Sequence, residues 1–339
     1  MQEFLNRLVR GEDLDEAEAA AAMRVIFEGE ATPAQIAGFI VALRMKGETV
    51  DELTGFARTA RAMATPIAAG DSLLDTCGTG GDGLRTFNIS TLAAVVASAA
   101  GARVAKHGNR AASSECGSAD VLEALGVKVD LGAEGVVRCL DEAGIAFLFA
   151  PVFHPSFRHA GPPRRELGVR TVFNILGPLC NPAGATRQAL GVADGSIAEK
   201  VAQVLQRLGV ERALVFHGSD GMDELSLDGP SRVIDVSPEG MREYDLDPQE
   251  LGFPRASVEA LRGGAPAQNA ELARRLLAGE EGPRRDAVLL NTAAALLAAG
   301  LATDFREGIG IAVHALDSGD AGAVLDRWVR ASQQEPIPA

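Results

Sequence analysis

Asp75-Thr-Cys-Gly78-Thr-Gly80-Gly81-Asp82-Gly83-Leu-Arg85-Thr86-Phe87-Asn88-Ile89-Ser90-Thr91 is the stretch around which the chain is organised. It follows a short apolar run and precedes an alanine-rich segment with helical spacing, so it reads as the turn between a strand and a helix. Four glycines between positions 78 and 83 let the backbone turn with positive φ and bring N–H groups against a ligand with no Cβ in the way. Asn88, Ser90 and Thr91 add side-chain donors at the helix N-terminus, where unsatisfied N–H groups and the helix dipole favour an anion. The stretch reads as a phosphate cradle at the carboxyl end of a strand, where ligands of α/β sheets bind.

Gly78-x-Gly80-x-x-Gly83 also matches the dinucleotide fingerprint. That reading needs an acidic residue ~20 positions further on for a ribose hydroxyl. No Asp or Glu occurs between Gly83 and Ser114, and the next strand ends in Lys106-His107. A P-loop is excluded as well, because no Gly-Lys-Ser/Thr follows at the required spacing.

The cradle has to be placed in a chain of 339 residues, enough for one large domain and a small one, each with its own core. A net charge of −14 and a pI near 4.9 argue against nucleic acid or an anionic membrane as partner. A phosphorylated ligand must therefore find a local basic pocket. The four cysteines, Cys77, Cys116, Cys139 and Cys180, show neither paired nor metal-type spacing, which predicts free thiols in a reducing, cytoplasmic setting. No run approaches ~18 uninterrupted apolar residues, so no membrane span is expected.

Residues 1–67 read as a small all-helical domain. Capping-box spacings recur at Asp13 to Glu16, Thr32 to Gln35 and Thr49 to Glu52. Ile36, Phe39, Ile40 and Leu43 form an apolar stripe that needs a cover, either another domain or a second copy of the chain. From residue 68 to 339 the pattern becomes short apolar runs alternating with helices: Arg103 to Ala105, Val127 to Val129, Ile145 to Phe149, Ala189 to Val192 and Ala213 to Phe216. This alternation predicts an α/β domain with a mostly parallel central sheet. Pro151 to Pro182 breaks it, which predicts a crossing or hinge between the domains, with part of 160–183 on the helical one. From Gln268 the chain reads as helical, with a polar tail from Ser332 to Ala339.

The loops leaving the strand ends at Cys77, Lys106, Ala150 and His217 are expected to converge. The second of them, Lys106-His107-Gly108-Asn109-Arg110-Ala111-Ala112-Ser113-Ser114-Glu115-Cys116-Gly117-Ser118-Ala119-Asp120, combines charge and hydroxyl donors and reads as a second anion site. Two cradles imply a ligand with phosphates at both ends. Asp223 and Glu224 stand together after the strand ending at His217. Opposite two phosphate loops they suit Mg²⁺, which is normally held by one or two carboxylates plus substrate phosphates, and Ser90 can complete the set. His154, Arg158, His159, Arg164, Arg165 and Arg170 come from the proline-rich segment, where a guanidinium can grip a carboxylate in two-pronged geometry.

Taken together, GTGGDG, Asn88-Ile-Ser-Thr91, KHGNRAASS, GSAD, the Asp-Glu pair and Arg170-Thr-Val-Phe-Asn-Ile-Leu-Gly-Pro-Leu closely resemble the anthranilate phosphoribosyltransferases over nearly the whole chain. The resemblance implies a helical domain against an α/β domain like that of pyrimidine nucleoside phosphorylases, and a homodimer joined through the helical domains. It also implies the joining of anthranilate to phosphoribosyl pyrophosphate (PRPP), with release of pyrophosphate, in tryptophan biosynthesis. Carried over by motif, PRPP would meet Gly78, Gly81, Asp82, Thr86, Asn88, Ile89, Ser90, Thr91, Lys106, His107, Gly108, Asn109, Arg110, Ala111, Ala112, Ser113, Ser114 and Ser118. Anthranilate would meet Gly78, Asn109, His154 and Arg164. Mg²⁺ would sit at Ser90, Asp223 and Glu224, and His107 is a candidate relay for the amine proton. The family often has tyrosine where Phe157 stands and threonine where Cys180 stands. A nucleoside phosphorylase of the same fold, or a nucleotide-binding module without catalysis, are the rival readings.

Overall fold

The computed structural model describes residues 1–111 and 115–334. Its first four helices are α1 (Gln2–Val9), α2 (Glu16–Phe27), α3 (Pro33–Lys46) and α4 (Val50–Ala62). Reciprocal capping boxes start α3 at Thr32 and Gln35 and α4 at Thr49 and Glu52. The box of α2 is Asp15 with Glu18, two residues beyond the expected Asp13 with Glu16. Both pairs have the right spacing, but Asp13 is taken by the Lys46 ammonium at 2.6 Å, and Lys46 also meets the buried Glu52 at 3.1 Å.

The apolar stripe of α3 is covered within the chain. Ile36, Phe39, Ile40 and Leu43 are fully buried, and α3 packs on α1 and on two later helices, α9 (Gly161–Leu167) and α10 (Val172–Leu179). The stripe therefore gives no ground for a second copy. The large apolar side chains left exposed on these helices are Val9 and Met45.

The sheet has seven strands: β1 (Leu74–Gly78), β2 (Val104–Gly108), β3 (Ile145–Phe149), β4 (Arg187–Gly191), β5 (Arg212–Gly218), β6 (Ser231–Ser237) and β7 (Gly240–Leu246). Their order is β3-β2-β1-β4-β5-β6-β7. The first five are parallel, and β6 and β7 add an antiparallel hairpin at one edge. The sheet departs from the sequence pattern in two places. The pattern does not announce the hairpin, because β7 is half-exposed and lacks an apolar run. Val127 to Val129, expected as a strand, is a link with both valines buried, and its Lys128 N–H donates to Ser332 Oγ at 3.0 Å instead of to a neighbouring strand.

Helices α5 (Ile89–Ala99), α6 (Ser118–Leu125), α7 (Ala133–Ala143), α8 (Ala150–Phe153), α9 (Gly161–Leu167), α10 (Val172–Leu179) and α11 (Ala198–Arg207) follow in chain order, and α12 (Pro266–Leu277), α13 (Pro283–Ala299), α14 (Phe305–Asp317) and α15 (Asp320–Gln333) close the chain. Ser332, expected in a polar tail, is instead a buried residue in the last turn of α15. One face of the sheet packs against α5 and α13. The other meets α10, α11 and, through them, the four N-terminal helices in a continuous core. No described helix is long and apolar enough to cross a membrane.

The crossing from the helices to the sheet runs through α9 and α10 and ends in a strap whose carbonyls are gripped one after another. Gly177 O faces His107 Nδ1 at 3.1 Å, and Pro178 O accepts from Gln188 Nε2 at 2.5 Å. Leu179 O accepts from Arg61 Nε at 2.7 Å, and Cys180 O faces His154 Nε2 at 2.8 Å. Asn181 then donates to Asp75 Oδ2 at 2.9 Å and to Ala105 O at 2.8 Å. Pro178 inside α10 removes a helical donor, and buried carbonyls at a helix end need partners from elsewhere, which these side chains supply.

Candidate active site

The glycine loop leaves β1 at Gly78 and bends over the sheet's carboxyl edge, with Gly80, Gly81 and Gly83 at φ 65, 76 and 76°. The Gly80 N–H donates to Asp223 Oδ2 at 2.7 Å, and Ser90 N–H donates to Glu224 Oε1 at 2.9 Å. A side chain at Gly78 would run into the Asp223 carboxylate, and one at Gly191 into the Asp223 backbone. The turn after β5 is thus seated directly on the ends of β1 and β4, and Ser90, Asp223 and Glu224 converge.

The acidic pair lies where its charge is disfavoured. The protein packed around Asp223 raises its carboxyl to about 7, helped by neighbouring Asp82; burial raises Glu224 to about 8, helped by Asp223. Lys106 lies nearby, 2% exposed, with its ammonium on the Thr76 carbonyl and 3.4 Å from Ser90 Oγ. Burial pulls Lys106 down while Asp75 pulls it up. Lys106 is therefore part of the floor of the site. Asp75, wholly buried, accepts from His107 N–H at 3.0 Å and from Asn181, and burial raises its carboxyl against the pull of Lys106. Among the described residues no group of three His, Cys, Asp or Glu side chains could hold a metal ion. The protein offers two carboxylates and a hydroxyl, an oxygen-only set that suits a hard cation whose remaining ligands are phosphate oxygens and water.

The second loop is closed by Asp120, which accepts from Ala111 N–H at 2.9 Å and Gly117 N–H at 2.8 Å. Asn109 O accepts from Ser118 Oγ at 3.2 Å. Gly108 has no room for a side chain beside Ser118 and Phe147. Arg110 does not face the glycine loop: its guanidinium forks onto Glu123 at 2.5 and 2.7 Å and lies over the Phe149 ring. Ala112, Ser113 and Ser114 lie outside the described residues. Asn88 is engaged within the protein, donating to Cys116 O at 3.1 Å and accepting from Asn269 Nδ2 at 3.0 Å, so it ties the two loops to α12. Thr86 bridges to Arg262, and Ile89 and Thr91 are buried.

On the crossing side, rings run outward from the sheet. His107 and His154 lie 5.2 Å apart, His154 and Phe157 5.2 Å, and Phe157 and Phe173 5.8 Å between centroids. Arg164 on α9 lies over the Phe173 ring at 5.0 Å. Burial alone lowers this guanidinium's pKa; no carboxylate among the described residues, Glu166 included, offsets it. Burial, reinforced by His154, pushes His107 down to about 3, so its ring is neutral. His107 Nε2 and His154 Nδ1 are buried without partners.

Sequence reading assigned no role to Asp75 and Asp120, although both stand inside the two loops it singled out, and it did not reach Asn181 or Asn269. Asp75 is a carboxylate inside a buried strand that must have partners, but those partners come from distant segments.

The fold and the site define a glycosyl transferase made of a helical bundle and an α/β unit. The profile described as glycosyl transferase family, helical bundle domain, matches residues 2–64, and that of the family's a/b domain matches residues 70–322. Anthranilate phosphoribosyltransferase 2 of Streptomyces coelicolor is 59% identical over 95% of this chain and 96% of its own. The anthranilate phosphoribosyltransferase structure from Thermus thermophilus superposes with a TM-score of 0.92 at 49% identity, covering 98% of this chain and 99% of that one. The Saccharomyces cerevisiae enzyme in complex with PRPP and Mg gives 0.91 at 26% identity, covering 98% and 97%. The chain belongs to the anthranilate phosphoribosyltransferase family.

Proposed function

We propose that the enzyme transfers the phosphoribosyl group of PRPP to the amine of anthranilate, giving N-(5-phosphoribosyl)anthranilate and pyrophosphate, in tryptophan biosynthesis. The observation that carries this reading is Arg164: a half-buried cation with no counter-ion among the described residues, lying over the Phe173 ring. An aromatic carboxylate supplies what that site lacks, a negative charge for the fork and a ring for the wall. His154 and Phe157 belong to that wall in this reading. PRPP lies against the Gly78–Thr91 loop and the Lys106–Ser118 loop.

Ser90, Asp223 and Glu224 are the residues that would hold Mg²⁺, and their oxygen-only donor set fits it. When bound, the metal supplies charge stabilisation for the departing pyrophosphate. The chain's own part is positional. The glycine turn presents N–H groups to phosphate oxygens, the buried Lys106 offsets the neighbouring acids, and Arg164 aims the acceptor. Anthranilate's amine is neutral and needs no strong base. His107, neutral with Nδ1–H turned to Gly177 O, has only the Nε2 lone pair with which to take a proton.

The proposal extends to two units dividing near residue 67, a homodimer, and a cytoplasmic setting; the two profile matches support the first of these. Anthranilate fluorescence should decay when enzyme, PRPP and Mg²⁺ are mixed. Persistence of the signal, with turnover of phosphate and a pyrimidine nucleoside instead, would make the enzyme a phosphorylase.

A further inference from the structure

We propose that Arg170 is a positioning residue of the donor site, tying the glycine turn to the crossing segment; this rests on the reading that the turn receives PRPP. Arg170 stands at the start of α10, just before the Thr171 N-cap. Its Nη1 donates to Gly80 O at 2.5 Å, and its guanidinium lies against Gly81 where any Cβ would collide with it. Gly81 itself is favoured by its φ of 76°, and the guanidinium packs in the space its missing Cβ leaves.

The turn is fastened at its start through Thr79, whose N–H donates to Gly191 O at 2.9 Å and whose Oγ1 accepts from Ala193 N–H at 3.0 Å, and further on through Arg85 O, which accepts from Gly263 N–H at 3.0 Å. Gly80 is held from one side by Asp223 through its N–H and from the other by Arg170 through its carbonyl. The first bond uses a carboxylate that a metal also needs. A cation held by Asp223 would leave the Gly80 N–H free for a phosphate oxygen, and Arg170 would then hold Gly80 through its carbonyl. Arg170 is suited to this because its own base is stiff. The other end of α10 is the strap whose four carbonyls are gripped by His107, Gln188, Arg61 and His154. The helix therefore acts as a strut between the acceptor wall, to which it contributes Phe173, and the donor turn, which it reaches with Arg170. Arg164, six residues earlier on α9, faces the ring of Phe173 instead and serves the acceptor.

The test is calorimetric titration with Mg²⁺–pyrophosphate of the wild type, Arg170→Ala and Arg170→Lys, together with steady-state kinetics in each substrate. Loss of one charged hydrogen bond to the turn should raise the Mg²⁺–pyrophosphate Kd and the KM for PRPP about ten- to a hundredfold in Arg170→Ala, with partial recovery in Arg170→Lys. The KM for anthranilate should stay within about threefold, the reverse of the pattern for Arg164→Ala. Unchanged donor constants in an active Arg170→Ala would overturn the proposal alone. A parallel rise of both KM values with a lowered Tm would make the residue a general prop and overturn it too. A wild type that neither binds Mg²⁺–pyrophosphate nor consumes PRPP would overturn the functional reading beneath it.

Discussion

At Arg164 a guanidinium lies against a phenylalanine ring, half-buried, where desolvation disfavours its charge and no described carboxylate offsets the loss. Such a cation is stable enough to keep but gains when an anion arrives. Arg164→Ala should therefore raise the KM for anthranilate by roughly thirty- to a thousandfold, the equivalent of ~2–4 kcal/mol for removing one partner of a partly buried charge pair. The KM for PRPP should barely move, and lysine should rescue only in part for want of the planar fork. Steady-state kinetics varying each substrate in turn check this, and an effect confined to PRPP would locate the acceptor elsewhere. The sequence marks Arg164 only as one of several arginines in a proline-rich stretch, and the resemblance picks it out. What the sequence does not carry is its isolation, since Glu166 stands close enough in the chain to have paired with it.

Among the elements, the turn after β5 carries the strongest electrostatic load. Burial raises the Asp223 carboxyl to about 7, with Asp82 adding to the rise, and that of Glu224 to about 8, with Asp223 adding to it. Carboxyls raised in the folded state bind protons there that the unfolded chain, with carboxyls at ~4, has already released. Their contribution to stability is thus full below about pH 4 and is lost as pH rises through about 7 to 8. Cation binding needs both groups ionised, so it releases protons and strengthens over the same window. The rise in Tm on adding Mg²⁺ should be larger at pH 8.5 than at pH 6.0, and Asp223→Asn with Glu224→Gln should abolish both the shift and its pH dependence. A Mg²⁺ shift that is the same at both pH values, or that survives the double substitution, would contradict the assignment. The pair itself was legible as adjacent acids at a strand end. The strap from Gly177 to Asn181 was not, because its partners Arg61, His107, His154 and Gln188 lie on four other elements and none is implied by the strap's own residues.

For the whole molecule, period and punctuation made most of the architecture readable: capping boxes marked α3 and α4, apolar runs marked the parallel strands, and prolines marked the crossing. The misreadings have one cause, local pattern without its tertiary partner. Val127 to Val129 is apolar enough for a strand, yet its backbone turns to the last helix. The stripe of α3 is apolar enough for a dimer contact, yet α1, α9 and α10 cover it. If the chain is a dimer through its helices, the contact must use what remains exposed, and Val9→Glu with Met45→Glu should shift the sedimentation coefficient from dimer to monomer. A monomeric wild type at micromolar concentration would end that reading. The central claim, that donor and acceptor meet between the glycine loop and Arg164, is tested most directly by a crystal structure with PRPP, Mg²⁺ and 4-fluoroanthranilate. It should have the diphosphate against the Gly78–Thr91 loop and the Asp223–Glu224 pair, with the aromatic carboxylate on the Arg164 fork. A diphosphate bound at Arg164, or an aromatic ring seated on the far side of the glycine loop, would contradict it.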